Sequence, residues 1–170
     1  MASQARQPVT QSVIASEARQ SILDGQLFSI HTKIHKGINM FNVLQPEGWA
    51  PAKGYANGIE ARGRMVFIAG MIGWNGQSQF ETDDFVAQCR QALQNIVDTL
   101  ACAGAGPQHM ARMTWYVKDK KEYLARGREL GKVYQEVIGK NYPAMTLVQV
   151  ADLVEDRALV EIEVTAVVPE

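Results

Sequence analysis

The end of the chain carries two carboxylates whose spacing suits acid–base chemistry. Apolar and polar residues alternate from Val160 to Val168, and Glu161 and Glu163 fall on the polar side of this predicted strand. Taken alone, the pattern favours two glutamates on a solvent-facing side. In a covered cleft, however, loss of water raises the pKa of a carboxylate toward neutrality, which suits a general acid or base. The choice depends on whether that side of the sheet is covered.

An earlier predicted strand indicates that the polar side of the sheet is covered. From Arg64 to Ile72 both alternating sets are apolar, namely Met65, Phe67, Ala69 and Met71 on one side and Val66, Ile68, Gly70 and Ile72 on the other. A strand that is apolar on both sides is usually buried on both faces of its sheet. Helices can cover one face, so the pattern predicts a partner subunit or a second layer on the other.

The rest of the pattern predicts an α+β domain in the order ββαβαββ. The predicted elements are a strand Tyr55–Ala61, a hairpin turn at Gly63, the strand Arg64–Ile72, a helix capped at Thr82 and stopped at Gly104, a strand His109–Lys118, a helix capped at Asp119 and ended by Gly139, and strands Ala144–Leu153 and Ala158–Val168. Right-handed crossovers should place both helices on one sheet face. Gly127 and Gly131 lie inside the second helix, where each costs about 1 kcal/mol relative to alanine, and they predict a close approach to a neighbour.

Composition narrows the classes of partner and compartment. The 170 residues suggest one domain, and a formal net charge of -1 makes nucleic acid an unfavourable partner. No apolar run is long enough for a membrane-spanning helix. Cys89 and Cys102 fall roughly 20 Å apart in one predicted helix, too far for a disulfide. This favours two reduced core residues in a cytoplasmic protein.

Residues 1–39 differ from the rest of the chain and form a predicted N-terminal extension to a domain at 40–170. They show no sustained apolar period, and Ser12–Ile22 resembles the translation of a dispersed bacterial intergenic repeat. This resemblance favours Met40 as the natural start and a non-native or disordered extension. His31 and His35 are four residues apart, but the glutamate of a zinc-binding HExxH motif is missing. Two solvated histidines are therefore favoured over a metal site.

Several separated motifs together resemble one known family. They are Gly54-Tyr55, Ala69-Gly70-Met71, Gly104-Ala105-Gly106, Asp119, the run Tyr142-Pro143-Ala144-Met145-Thr146, and the run Val160-Glu161-Ile162-Glu163. Over about residues 48–168 the chain is similar to the RidA family, also called YjgF or L-PSP, of enamine and imine deaminases. The resemblance implies a chorismate-mutase-like protomer and a homotrimer with a central barrel. It also implies a small-molecule ligand in each cleft between subunits, with no cofactor and no metal.

The resemblance also implies which residues line the cleft. Glu161 corresponds to the glutamate that positions an attacking water, and Tyr55 to a cleft-lining tyrosine. The arginine that clamps the substrate carboxylate is replaced by Met145, and a glutamine by Met71. A thioether cannot replace a guanidinium, so the clamp is lost unless Arg112 supplies it from another strand.

These substitutions leave three functions open. The first is a hydrolase for an enamine, an imine or a related compound, which would be inefficient on 2-aminoacrylate. The second is a non-catalytic trimer that binds a small metabolite, and the third is the ribonuclease activity sometimes attributed to this family. The asparagine that the family often carries in its second helix corresponds to Gly131. Trp74, Trp115 and Tyr116 are candidates for the cleft wall, although core or interface packing is the favoured explanation for them.

Overall fold

A computed structural model describes residues 41–170, which form two sheets and three helices. The elements are strands β1 (Phe41–Leu44), β2 (Gly58–Ala61) and β3 (Arg64–Ile72), helix α1 (Phe85–Cys102), strand β4 (Met110–Val117), helices α2 (Lys120–Ala125) and α3 (Gly127–Val137), and strands β5 (Ala144–Gln149) and β6 (Val160–Val168). The α+β class predicted from the sequence is confirmed. None of the helices in this range is long and apolar enough to cross a membrane.

The main sheet has the strand order β3-β6-β4-β5. Strand β6 runs antiparallel to both β3 and β4, and β4 and β5 are parallel, joined by the two short helices. The alternation predicted for β6 is confirmed, because Val160 and Ile162 are fully buried while Glu161 and Glu163, which follow them in turn, are half-buried. The polar side of β6 therefore faces away from the core and the helices.

The predicted hairpin of β2 and β3 is wrong. Strand β2 pairs with β1 in a separate two-stranded sheet, and β3 pairs with β6 from Arg64 opposite Val168 onward. Gly63 has a φ of 148°, and a Cβ there would lie 2.9 Å from the carbonyl carbon of Val168. The glycine thus permits the close approach of the chain end to β3, a contact between distant residues that a local turn pattern does not reveal.

Helix α1 covers the inner face of the sheet with Leu93, Ile96 and Leu100, all fully buried. Its N-cap is Asp84, whose Oδ1 accepts from the Ala87 N–H at 2.9 Å, so the predicted cap at Thr82 is wrong. The carboxylate of Asp84 outcompetes the hydroxyl, which accepts from the Asp84 N–H instead. Both cysteines of this helix are free, but only Cys89 is a core residue, since Cys102 is exposed.

The second predicted helix is divided into two. Asp119 is confirmed as its N-cap, accepting from the Lys121 N–H at 2.7 Å. The helix breaks at Arg126, whose φ and ψ of -98° and 9° leave the helical region. There the Arg126 guanidinium is bound by Glu129 and Asp84 at 2.8 and 2.9 Å. The division between α2 and α3 helps to shape the cavity described below.

The outer face of β3 is uncovered within the chain. Met65 and Phe67 are 55% and 71% exposed, whereas Ile68 and Ile72 are buried. A bulge between Ile68 and Met71 shifts the register, so that Met71 pairs with Ile162 and packs against the core. Met71 therefore leaves the alternation predicted for it, because a bulge turns each following side chain to the opposite face. Coverage of the outer face by a partner remains a prediction.

Candidate functional site

A cavity of about 560 Å³ opens beside strand β5, bounded by helices α2 and α3 and by the segment before β2. Its volume is typical of small-molecule sites. The lining residues are mostly aromatic, aliphatic or glycine: Lys53, Gly54, Tyr55, Trp115, Tyr123, Leu124, Gly127, Leu130, Gly131, Tyr134, Gln135, Tyr142, Met145 and Leu147.

Two residues predicted to share a cleft do line this cavity. Tyr55 and Met145 are ninety positions apart in the chain, and a single backbone contact brings them together. The Ala56 N–H donates to the Pro143 carbonyl oxygen at 2.9 Å, and Ala56 bridges to Ala144. The Pro-Ala segment thus brings both residues to the same cavity, and Tyr55 is 44% exposed.

Two tyrosines of the cavity wall stack on each other. The rings of Tyr134 and Tyr142 stack with centroids 5.7 Å apart and an interplanar angle of 7°. The Tyr134 hydroxyl donates to the Asn141 carbonyl oxygen at 2.6 Å, which fixes its orientation. Burial raises the pKa of Tyr134, and also that of Tyr123, so both phenols stay neutral at physiological pH. These residues supply ring surfaces and not a base.

Gly127 and Gly131 contribute open space to the cavity. A Cβ built at either position would meet no atom within 4 Å. The close approach predicted for this pair is therefore absent among the described residues. Side chains here would extend next to Tyr134 and Gln135 of the same helix, whereas glycines leave the wall flat.

The cavity holds little charge. Lys53 is its one lysine, arginine or carboxylate residue among those that the structure describes, and it lies exposed at the edge. Trp115 is 2% exposed, and its indole N–H has no hydrogen-bond partner in the described part of the chain. Met145 adds a thioether where a charged donor would be needed to hold a carboxylate.

Glu161 lies on the other face of the sheet. It pairs in register with Tyr116 and Ile72, and it does not line the cavity of its own chain. Its side chain rests over Gly70, where an added Cβ would be 2.6 Å from its Cδ and 2.8 Å from its Cγ. The missing side chain at Gly70 therefore makes room for this carboxylate.

Arg112 also lies on the outer face. It borders a smaller cleft of about 310 Å³ together with Phe67, Thr114 and Glu163. Nearby, the Tyr116 hydroxyl donates to Glu163 Oε1 at 3.2 Å, and burial together with the Glu163 charge raises the pKa of Tyr116. Within one chain, Arg112 does not reach the cavity of Met145 as a substitute clamp.

Comparison with known proteins agrees with this architecture. A family model described as Endoribonuclease L-PSP matches residues 47–168. The chain belongs to the RidA/YjgF/L-PSP family. A RutC family protein of Haemophilus influenzae is 34% identical over 105 residues, which are 62% of this chain and 80% of that protein. A solved Rid family protein of Yersinia pestis, YyfB, superposes with a TM-score of 0.66 at 30% identity, covering 76% of this chain and 99% of that one.

A more distant relative has a named activity. The 2-iminobutanoate/2-iminopropanoate deaminase of Salmonella typhimurium is 29% identical over 113 residues, covering 66% of this chain and 86% of that enzyme.

The RidA-family resemblance identified Tyr55 and Met145 but missed most of the cavity wall. Tyr123, Tyr134 and Tyr142 were not predicted as lining residues, although Tyr123, Gly127, Gly131 and Tyr134 recur at spacings of three and four, as residues on one helical side do. Of the other predicted aromatics, Trp115 lines the cavity, whereas Trp74 packs on Phe80 with ring centroids 6.2 Å apart.

No group of three or more histidine, cysteine or acidic side chains within residues 41–170 is arranged to hold a metal ion. The pair His31 and His35 lies outside the described residues, as does the predicted extension that contains it.

Proposed function

We propose that this RidA-family chain is a small-molecule hydrolase of the enamine and imine deaminase type, acting in clefts between the subunits of a homotrimer. The observation that carries the proposal is the shared cavity of Tyr55 and Met145, which opens at the surface beside the 72% exposed side chain of Leu124. Such an open apolar wall is suited to being completed by a second subunit. The likeness to the Salmonella deaminase supports the reaction class.

The catalytic site is composite in this proposal. Glu161 is on the opposite sheet face from the cavity of its own chain, so the glutamate that acts at a cavity must come from a neighbouring subunit. There the carboxylate positions a water molecule, which adds to the imine carbon. The C–N bond then breaks, and the products are a carbonyl compound and ammonia.

Met145 limits which substrates are accepted. A hydrogen bond to a charged group is worth about 1.5–3 kcal/mol, so loss of the arginine clamp should lower affinity for a 2-imino acid roughly tenfold to over a hundredfold. The cavity offers only an exposed lysine, Lys53, in compensation. The protein is therefore an inefficient 2-aminoacrylate deaminase.

A non-catalytic metabolite-binding trimer is the second candidate, and the same replacement at Met145 favours it. A ribonuclease is disfavoured, because the formal net charge is -1 and His109 is the single histidine after residue 39. For each of these three candidate functions we expect a cytoplasmic protein, as the sequence predicts.

The test compares Glu161→Gln with the matched control Glu163→Gln, two residues along the same strand face. An amine oxidase and an amino acid oxidase generate neutral imines and 2-imino acids in situ, and ammonia release is followed with and without the protein. We expect acceleration with wild type and Glu163→Gln, and a loss of about 100-fold or more for Glu161→Gln. No acceleration with any imine would support the binding function instead, and equal rates for both variants would remove Glu161 from the mechanism.

A further inference from the structure

We infer that the cavity selects a planar aromatic compound that has no carboxylate. This inference rests on the proposed function, since it names the substrate class of that same site. The carrying observations are the two open glycines, the stacked tyrosines, and the lack of a buried lysine or arginine among the described residues that line the cavity.

Gly127 and Gly131 have no other structural role within the described chain. Neither has a positive φ, so no backbone conformation requires glycine there. Neither has a neighbour that a Cβ would meet within 4 Å, so no packing contact requires it. Gly131 lies inside α3, where a glycine is less stable than an alanine, which leaves the volume of the cavity as the reason for this residue; Gly127 begins the helix and lines the same cavity.

The walls match an aromatic ring. Tyr134 and Tyr142 form a parallel stack, and Tyr55, Trp115 and Tyr123 provide further ring surface. Aromatic rings favour offset stacking and edge-to-face contacts with one another beyond the effect of buried area alone. A flat, ring-shaped ligand therefore gains more from this cavity than an aliphatic one of equal size.

The charge of the cavity wall favours a neutral ligand. A carboxylate must be desolvated on entry and needs a fixed charged donor. Lys53 is the one lysine or arginine among the described residues that line the cavity, and it is exposed to solvent, where ion pairs contribute little.

The test measures binding by calorimetry with two probes of matched shape, indole-3-acetamide and indole-3-acetate. We expect the amide to bind wild type at least as tightly as the acetate. Tighter binding of the acetate by about tenfold or more, or no binding of either probe, would overturn the inference.

Variants at Gly131 test the role of the open volume of the cavity. Gly131→Leu should weaken amide binding by at least about tenfold, whereas Lys132→Leu, an exposed neighbour outside the cavity, should change it less than about twofold. Gly131→Ala should raise the melting temperature and weaken binding modestly, which excludes misfolding as the cause. Unchanged binding in Gly131→Leu would contradict the inference.

The inference and the proposed function fail separately. Amide binding without turnover of any imine would support the ligand class and contradict the hydrolase function. Turnover of small 2-imino acids without amide binding would support the hydrolase function and contradict the ligand class.

Discussion

Gly70→Ala should disable the Glu161 carboxylate without altering any catalytic group. The added Cβ would lie 2.6 Å from Glu161 Cδ and 2.8 Å from Cγ, and nearer still to Oε1. Non-bonded carbons rest about 3.5–4.0 Å apart, so the side chain must move by roughly 1 Å or more. The carboxylate ends a flexible side chain and can rotate away from the added methyl group. The substitution should therefore displace the carboxylate without lowering the stability of the fold.

Misplacement of a catalytic group by about 1 Å can reduce a rate about 100-fold, and a loss of this size in kcat/KM is expected for Gly70→Ala. The assay is ammonia release from in situ generated imines. The matched control is Gly76→Ala, where an added Cβ meets nothing within 4 Å and activity should be unchanged. The melting temperature of both variants should stay near that of wild type.

A double-variant cycle gives the sharpest test of this reasoning. If Gly70 acts only through Glu161, then Gly70→Ala should cost nothing further in a Glu161→Gln background. Independent, additive losses would show that the alanine disturbs something else, such as the bulge between Ile68 and Met71, and would refute the positioning role.

Four further predictions concern the clamp, the extension, the assembly and the stability of α1. Met145→Arg should raise the rate of 2-aminoacrylate deamination by about tenfold or more, because it restores a charged bidentate donor; an unchanged rate would show that the carboxylate is held by another route. A chain beginning at Met40 should melt within a few degrees of the full chain, and a large loss of stability would show that residues 1–39 pack on the domain. Light scattering at micromolar concentration should give a trimer, and a monomer would contradict the predicted covering of the outer sheet face. The Ala87 N–H, and then Arg126, lower the pKa of Asp84 in the folded protein. The ionised carboxylate therefore stabilises the fold above about pH 4, and this contribution is lost as pH falls through the lower folded pKa. The difference in stability between wild type and Asp84→Asn should shrink in acid, and a difference that stays constant with pH would exclude this linkage.

Features set by regular local patterns could be predicted from the sequence. The alternation of β6 identified the buried set that contains Val160 and Ile162, and Asp119 was recognised as a cap from its position before a helical pattern. Features that depend on distant contacts could not be predicted in this way. The pairing of Arg64 with Val168 replaced the expected hairpin, and the bulge before Met71 has no distinct sequence signal.

The candidate site shows the same division. Tyr55 and Met145 were linked by family resemblance, and the structure supplies the physical link through Ala56 and Pro143. The sequence pattern predicts close packing at the glycines of α3, because a sequence does not distinguish a glycine that admits a neighbour from one that leaves a space. The separation of Glu161 from the cavity of its own chain required the register of three strands.

Subunit complementation tests most directly whether the site is shared between subunits. Glu161→Gln keeps the cavity but loses the glutamate, and Gly131→Leu keeps the glutamate but fills the cavity, so each variant alone should be inactive. In a cyclic trimer that mixes both variants, one of the three sites joins an intact cavity to an intact glutamate. Random reassembly from equal amounts should therefore restore roughly a quarter of wild-type imine hydrolysis. Activity that remains at the level of the separate variants would contradict a site built from two subunits.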